Sequence, residues 1–266
     1  MKLLNRYIGI FSIFTTIFNT CPQGLLVNLN KEIVESSLIV DKNIKEKNKY
    51  LTIDVIIPQI SGLNNKESEK VINKKILDFT DMWINDIKEI ADEYYGPPNN
   101  VIPTFPYELT AKYIIKSQNK ILSFYIEYYQ FTGGAHGITT RVPYNIDIKT
   151  GSELLLKDLF TGGEEYKRII NKEIEKQIAG NPDIYFSGKD GFNGIKEKQQ
   201  YFMDGNNIVV YFGQYEIAPY TTGIPKFRIP IKLFGNTFKY DDFSHKENNE
   251  IIGKNNKIID KNGKIF

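Results

Sequence analysis

One cysteine, two histidines, one tryptophan and three methionines in 266 residues limit what this chain can be. A single cysteine, Cys21, can form no internal disulfide. His136 and His245 lie far apart, there is no H-E-x-x-H, and no cysteine pair completes a zinc set. Neither charge sign dominates: 34 basic against 32 acidic residues leave a net charge of +2, so no nucleic-acid partner is expected. Ser123 and Ser152 lack a G-x-S-x-G setting. Thr161-Gly162-Gly163 precedes a helical pattern, but Glu164 and Glu165 would repel a phosphate there. These absences argue against a bound metal, a cofactor or a nucleophilic catalyst.

Long apolar runs are scarce as well. Lys2 and Arg6 precede an almost uncharged apolar stretch at residues 7–18, too short to cross a bilayer comfortably and matched to a signal peptide. Residues 1–27 are therefore expected to be a signal peptide or, extended through Leu25, Leu26 and Val27, an N-terminal anchor. Cys21 follows the run as a lipid-modified cysteine would. Phe18-Asn19-Thr20, however, lacks the small residues that precede such sites. Residues 28–48 are rich in Lys, Glu and Asn and read as a polar spacer. The expected location is extracytoplasmic, secreted or held at the membrane by the N-terminal segment alone.

What is abundant is aromatic: Tyr and Phe occur 17 times each. Leu51, Ile53, Val55 and Ile57 alternate with Tyr50, Thr52, Asp54 and Ile56 and predict a half-buried strand ended by Pro58 and Ser61-Gly62. Ile72, Ile76, Phe79, Trp83, Ile87, Ile90 and Tyr94 form one helical stripe, with Trp83 read as core, stopped by Gly96-Pro97-Pro98. Two alternating stretches, around Tyr113 and around Phe124, flank a turn at residues 117–120. A third follows at residues 142–148. Thr161 and Glu164 form a capping-box pattern ahead of a second stripe, Tyr166, Ile170, Ile174 and Ile178. A hairpin across residues 204–207 and a last strand around Phe227 complete the pattern. The fold class is α+β: two small helix-plus-antiparallel-sheet units, each with one long helix packed on a β-sheet. The units are residues 49–150 and 151–240, followed by a polar tail, 241–266.

The chemistry concentrates in two loops. Phe131-Thr132-Gly133-Gly134-Ala135-His136-Gly137 follows the strongest strand pattern, and three glycines there demand a sharp turn or a close approach. His136 can bond its own loop, contact a ligand, or act on one. The second loop, residues 213–223, carries Tyr215, Glu216, Pro219 and Tyr220. The two occupy corresponding places in a weak internal repeat: Gly137-Ile138 leads to Arg141-Val142-Pro143, and Gly223-Ile224 leads to Arg228-Ile229-Pro230. Aromatic anchors with open backbone suit recognition. The candidate binding residues are Tyr129, Phe131, Gly133, Gly134, His136, Gly137, Tyr215, Glu216, Pro219 and Tyr220. Glu127, Asp147 and Glu216 offer an alternative, since a glycosidase could be built from two such carboxylates.

Tyr129-x-Phe131-Thr132-Gly133-Gly134-Ala135-His136-Gly137, Tyr144-Asn145-Ile146-Asp147-x-Lys149-Thr150-Gly151 and Leu156-x-Asp158-Leu159-Phe160 resemble the signature of a bacterial envelope domain. So does Gln214-Tyr215-Glu216-Ile217-Ala218-Pro219-Tyr220-x-x-Gly223. This is the extracytoplasmic domain of RsiV-type anti-sigma factors, which sense lysozyme, and the accessory domain of PdaC-type peptidoglycan deacetylases. The resemblance spans residues 46–240. It implies an extracytoplasmic, two-part α+β module of otherwise undefined activity, with lysozyme, another cell-wall hydrolase or peptidoglycan as partner. With few residues ahead of the apolar stretch and no Asp/His/His set, neither a sigma-binding region nor a deacetylase centre is expected. The predicted function is a non-enzymatic envelope binding or sensing module; the alternative is a peptidoglycan-modifying enzyme or an enzyme accessory domain that uses the loop carboxylates.

An export test follows. Residues 1–48 fused to a reporter active only outside the cytoplasm should give an active reporter. A stable but inactive fusion would refute the signal reading.

Overall fold

The structure, a computed structural model, describes residues 38–99, 101–240 and 251–252. The proposed leader or anchor and Cys21 lie outside the described residues. Among the described residues no helix is long and apolar enough to cross a membrane.

Alternation builds the first strands. β2 (Leu51–Ile60) buries Leu51, Ile53, Val55, Ile57 and Ile60. β1 (Ile39–Lys47) pairs antiparallel with it, Ile39 opposite Ile60 and Lys47 opposite Thr52. This corrects the spacer reading of residues 28–48, whose second half is an edge strand. Its exposed Lys45, Glu46 and Lys47 mask the pattern, as charges commonly do on sheet edges. Pro58 does not end β2. The next strand pairs with β2 only as far as Val55, so at Pro58 the chain has one partner and the missing N–H is tolerated.

α1 (Lys66–Tyr95) starts at Asn65, whose Oδ1 accepts from the Ser68 amide at 3.0 Å. Its buried line is Ile72, Ile76, Thr80, Ile84, Ile87 and Ala91, rotated from the predicted aromatic stripe. Phe79, Trp83 and Ile90 pack on the flanks, and Tyr94 is exposed. Thr80 and Ala91 are small enough to admit the large residues opposite. Tyr128 stacks on Trp83 at 5.6 Å and its hydroxyl meets Thr80 Oγ1 at 2.8 Å. Burial pushes that phenol up to about 12.

β3 (Tyr107–Gln118) returns parallel to β2, with α1 as the crossover. β4 (Ile121–Phe131) and β5 (Ile138–Asp147) add antiparallel, giving the order β1-β2-β3-β4-β5. The large sheet is therefore mixed rather than antiparallel throughout. The chain continues through α2 (Glu165–Ala179) to the small antiparallel sheet β6 (Tyr201–Asp204), β7 (Asn207–Tyr211) and β8 (Lys226–Pro230). The predicted capping box is not formed: α2 begins after Glu164, and Thr161 Oγ1 donates to Thr237 O at 3.2 Å instead. Beyond Tyr240, β9 (Ile251–Ile252) pairs with Ile114 and Ile115 of β3, beyond the stretch of β3 that β2 pairs with. The region expected to be only a polar tail thus contributes two paired residues.

Three apolar clusters stack the molecule in layers. α1 covers one face of the large sheet through Ile53, Leu109, Phe124, Ile126 and Tyr128. α2 covers one face of the small sheet through Tyr166, Ile170 and Ile174, against Met203, Ile208 and Val210. Between the sheets, Tyr125 of β4 meets Phe202, Val209 and Tyr211. Beside them runs a buried polar chain. Asn145 Nδ2 donates to Tyr201 O at 2.9 Å, Ser123 Oγ donates to Asn145 Oδ1 at 2.6 Å, and the Met203 amide donates to Ser123 Oγ at 2.8 Å. Two side chains of the large sheet thereby satisfy the open backbone edge of β6.

Ser123→Ala or Asn145→Ala strands buried backbone groups, so each should cost about 1–3 kcal/mol. The double variant should cost less than the sum, because either change breaks the same chain. Denaturant unfolding checks this, and full additivity would show the two groups to be independent.

Candidate functional site

The glycine loop leaves β4 at Phe131 and enters β5 at Ile138. Gly133 and Gly134 have φ of 90° and 86°, the left-handed region that glycine reaches freely. Gly137 is needed for another reason: a β-carbon there would lie 2.4 Å from Gln130 O and 2.6 Å from the Tyr129 ring. His136 is exposed, with Nδ1–H donating to Gly137 O at 3.1 Å.

The second loop comes to meet it. The His136 imidazole stacks on the Tyr220 ring with centroids 3.8 Å apart and planes at 16°. Tyr215 joins them, 5.8 Å from Tyr220. Three aromatic rings from the two predicted loops therefore form one surface. Phe131 and Pro219 are half-buried at its margins, and Gly134 stands in open space.

Stitching along the edge of β5 holds the loops together. Gln214 Oε1 accepts from the Thr139 amide at 2.7 Å, and Tyr211 Oη donates to Arg141 O at 3.1 Å. The Arg141 guanidinium lies over Tyr125 at 4.3 Å and Tyr211 at 5.2 Å, and its Nη2 donates to Glu127 Oε1 at 2.6 Å. Burial holds the Tyr211 phenol well above its usual range. The sequence left Gln214 and Arg141 out of the candidate set. Their signal was slight, a lone amide and a strand arginine in the repeated exit pattern.

The three carboxylates of the enzyme alternative are each engaged. Glu127 is held by Arg141. Asp147 accepts from the amides of Lys149 and Thr150 at 2.9 Å each and from Tyr240 Oη at 3.0 Å. Glu216 takes Lys196 Nζ at 2.6 Å and the Gly213 amide at 2.7 Å. No metal-ligating cluster of His, Cys, Asp or Glu occurs among the described residues.

Two neighbouring features escaped the sequence reading. The irregular segment 183–198 forms one wall of a cleft of about 560 Å³ against Tyr215 and Glu216. Separately, the connection from α1 to β3 projects apolar side chains: Val101, Ile102 and Phe105 are 52%, 66% and 70% exposed. That connection enters β3 at the end where β4 leaves for the glycine loop, since Glu108 pairs with Phe131.

The family model "Deacetylase PdaC" matches residues 44–139, and "Protein of unknown function (DUF3298)" matches residues 157–232. The anti-sigma-V factor RsiV of Bacillus subtilis (strain 168) is 24% identical over 237 residues, covering 84% of this chain and 79% of that protein. A solved member of the DUF3298 family from Bacteroides fragilis NCTC 9343 shares the fold, with a TM-score of 0.58 at 19% identity over 78% of this chain and 97% of its own.

Gly137→Ala should destabilise by several kcal/mol, since backbone and ring must both shift. Gly134→Ala should cost only about 1 kcal/mol, the backbone penalty alone. Equal losses in denaturant midpoint would contradict the packing at Gly137. The first loop, with its glycines and His136, lies in the stretch that resembles the PdaC family. The second, with Tyr215 and Tyr220, lies in the stretch that resembles the DUF3298 family.

Proposed function

We propose that this chain is an extracytoplasmic recognition module that binds a cell-wall hydrolase of the lysozyme type through the joined surface of its two loops, without turnover of its own. The observation that carries this reading is the His136–Tyr220 stack. It makes one aromatic surface from segments 84 positions apart, as expected of a binding face assembled by a scaffold. The resemblance to an anti-sigma factor over most of the chain supports a sensing role. The engagement of Glu127, Asp147 and Glu216 in ion pairs and turns weighs for binding over carboxylate catalysis. The same reading divides the chain into units 49–150 and 151–240, each contributing one loop. The exposed apolar residues between α1 and β3 would widen the surface.

Calorimetric titration of the full chain with hen egg-white lysozyme tests it. Saturable binding is expected, with no release of fragments from purified peptidoglycan. His136→Ala and Tyr220→Ala should each weaken binding by about 1–2 kcal/mol, the scale of an interfacial aromatic contact. His136→Ala should melt like the parent, because the ring is exposed. Absence of binding, or turnover abolished by Glu216→Gln, would overturn the proposal.

A further inference from the structure

We propose that the cleft beside Tyr215 binds a neutral oligosaccharide, gripping a pair of adjacent hydroxyls on one sugar ring. This goes beyond the protein-recognition reading and shares only Tyr215 with that aromatic surface. The cleft measures about 560 Å³, within the roughly 300–1,000 Å³ common for small-molecule sites. Its lining is mixed. Phe186, Phe212 and Ile217 supply apolar surface, with Phe212 only 2% exposed and set edge-on against Phe192. At the rim Tyr215 is 49% exposed. It is the only non-glycine with positive φ among the described residues, at 64°. A left-handed backbone at a tyrosine is costly, and such strain concentrates at binding sites.

The polar groups choose the ligand class. Glu216 and Lys196 sit side by side, Oε1 to Nζ 2.6 Å, both facing the cleft. Glu216 Oε2 is fixed by the Gly213 amide at 2.7 Å. The carboxylate keeps free lone pairs and the ammonium keeps free protons. An acceptor next to a donor matches two neighbouring hydroxyls, one donating to Glu216 and one accepting from Lys196. The apolar faces of a pyranose ring then suit Tyr215 and Phe186. The remaining charged groups of the lining, Lys189 and Asp190, cancel, so the cleft has no net charge to draw in an anion or a cation.

The far wall is organised in advance. Asn193 Nδ2 donates to the carbonyls of Gly188, Lys189 and Gly191 at 3.4, 3.1 and 2.9 Å. Gly191 admits no side chain, since a β-carbon would meet Phe186 O at 2.3 Å. The space is therefore kept open by the chain's own bonds, which lowers the ordering cost on binding.

Calorimetry of the full chain with cellotetraose, whose every ring carries adjacent free hydroxyls, tests the proposal. Saturable binding in the millimolar range is expected. Lys196→Met should weaken it about fivefold, the loss of one hydrogen bond, with unchanged melting because the side chain is 71% exposed. Tyr215→Gly removes the ring while suiting the backbone and should weaken it similarly. Chitotetraose, whose acetamido groups leave only the 3,4-hydroxyl pair of its terminal ring, should bind several-fold more weakly. His136→Ala should leave cellotetraose affinity intact, so failure of the protein-recognition reading would not imitate failure here. No saturable heat at tens of millimolar, full affinity in Lys196→Met, or equal binding of chitotetraose would each overturn the proposal.

Discussion

The buried chain from the Met203 amide through Ser123 and Asn145 to Tyr201 O fixes where the two sheets sit on each other. Apolar contacts between Tyr125, Phe202 and Tyr211 are nearly non-directional and would tolerate a slide. The polar chain does not. A shift of one residue along β6 would remove its acceptor and its donor together, leaving unpaired groups in a dry seam. Arg141 adds a second restraint at the same seam, flat against two tyrosines and bonded to Glu127. The register of the small sheet on the large one is thus specified by polar groups and stabilised by apolar ones.

That register decides what the loops can do. The glycine loop is anchored at one end of β4 and β5, and the second loop hangs from β7. Once β7 lies across the outer face of the large sheet, Gln214 reaches the Thr139 amide and Tyr220 comes under His136. The aromatic surface is therefore a product of the seam, and neither half could present it alone. The second loop also serves two neighbours. Tyr220 stacks on the histidine, while Tyr215, five positions earlier, lies beside Tyr220 and also lines the cleft.

Alternating and helical periods made most of the scaffold legible. β2, α1, the β3–β4 pair, β5, α2 and the small hairpin follow apolar spacings that burial imposes on one face. The pairing of the two loops had a faint signal in the repeated exit pattern around Arg141 and Arg228. What stayed hidden lacked a period. β1 exposes its lysines on an edge, and Pro58 is harmless only because β3 has stopped pairing there. The burial line of α1 turned away from its aromatics because Thr80 and Ala91, which carry little hydrophobic signal, fit under the large residues of the sheet. The wall of the cleft, residues 183–198, is held by turns and side-chain-to-backbone bonds that leave no trace in hydrophobicity.

This division has a physical reason. Periodic segments bury one face and must satisfy their backbone with neighbours, so their composition records the fold. The segments around the site satisfy their backbone with single side chains, Asn193 and Glu216 within their own turns and Gln214 across to β5. Such bonds depend on single side chains at single positions, and they free the loop surfaces from any requirement to be apolar or periodic. The seam can then be held constant while the residues facing solvent change. The fold then persists while the sequence diverges, as a shared fold at 19% identity shows.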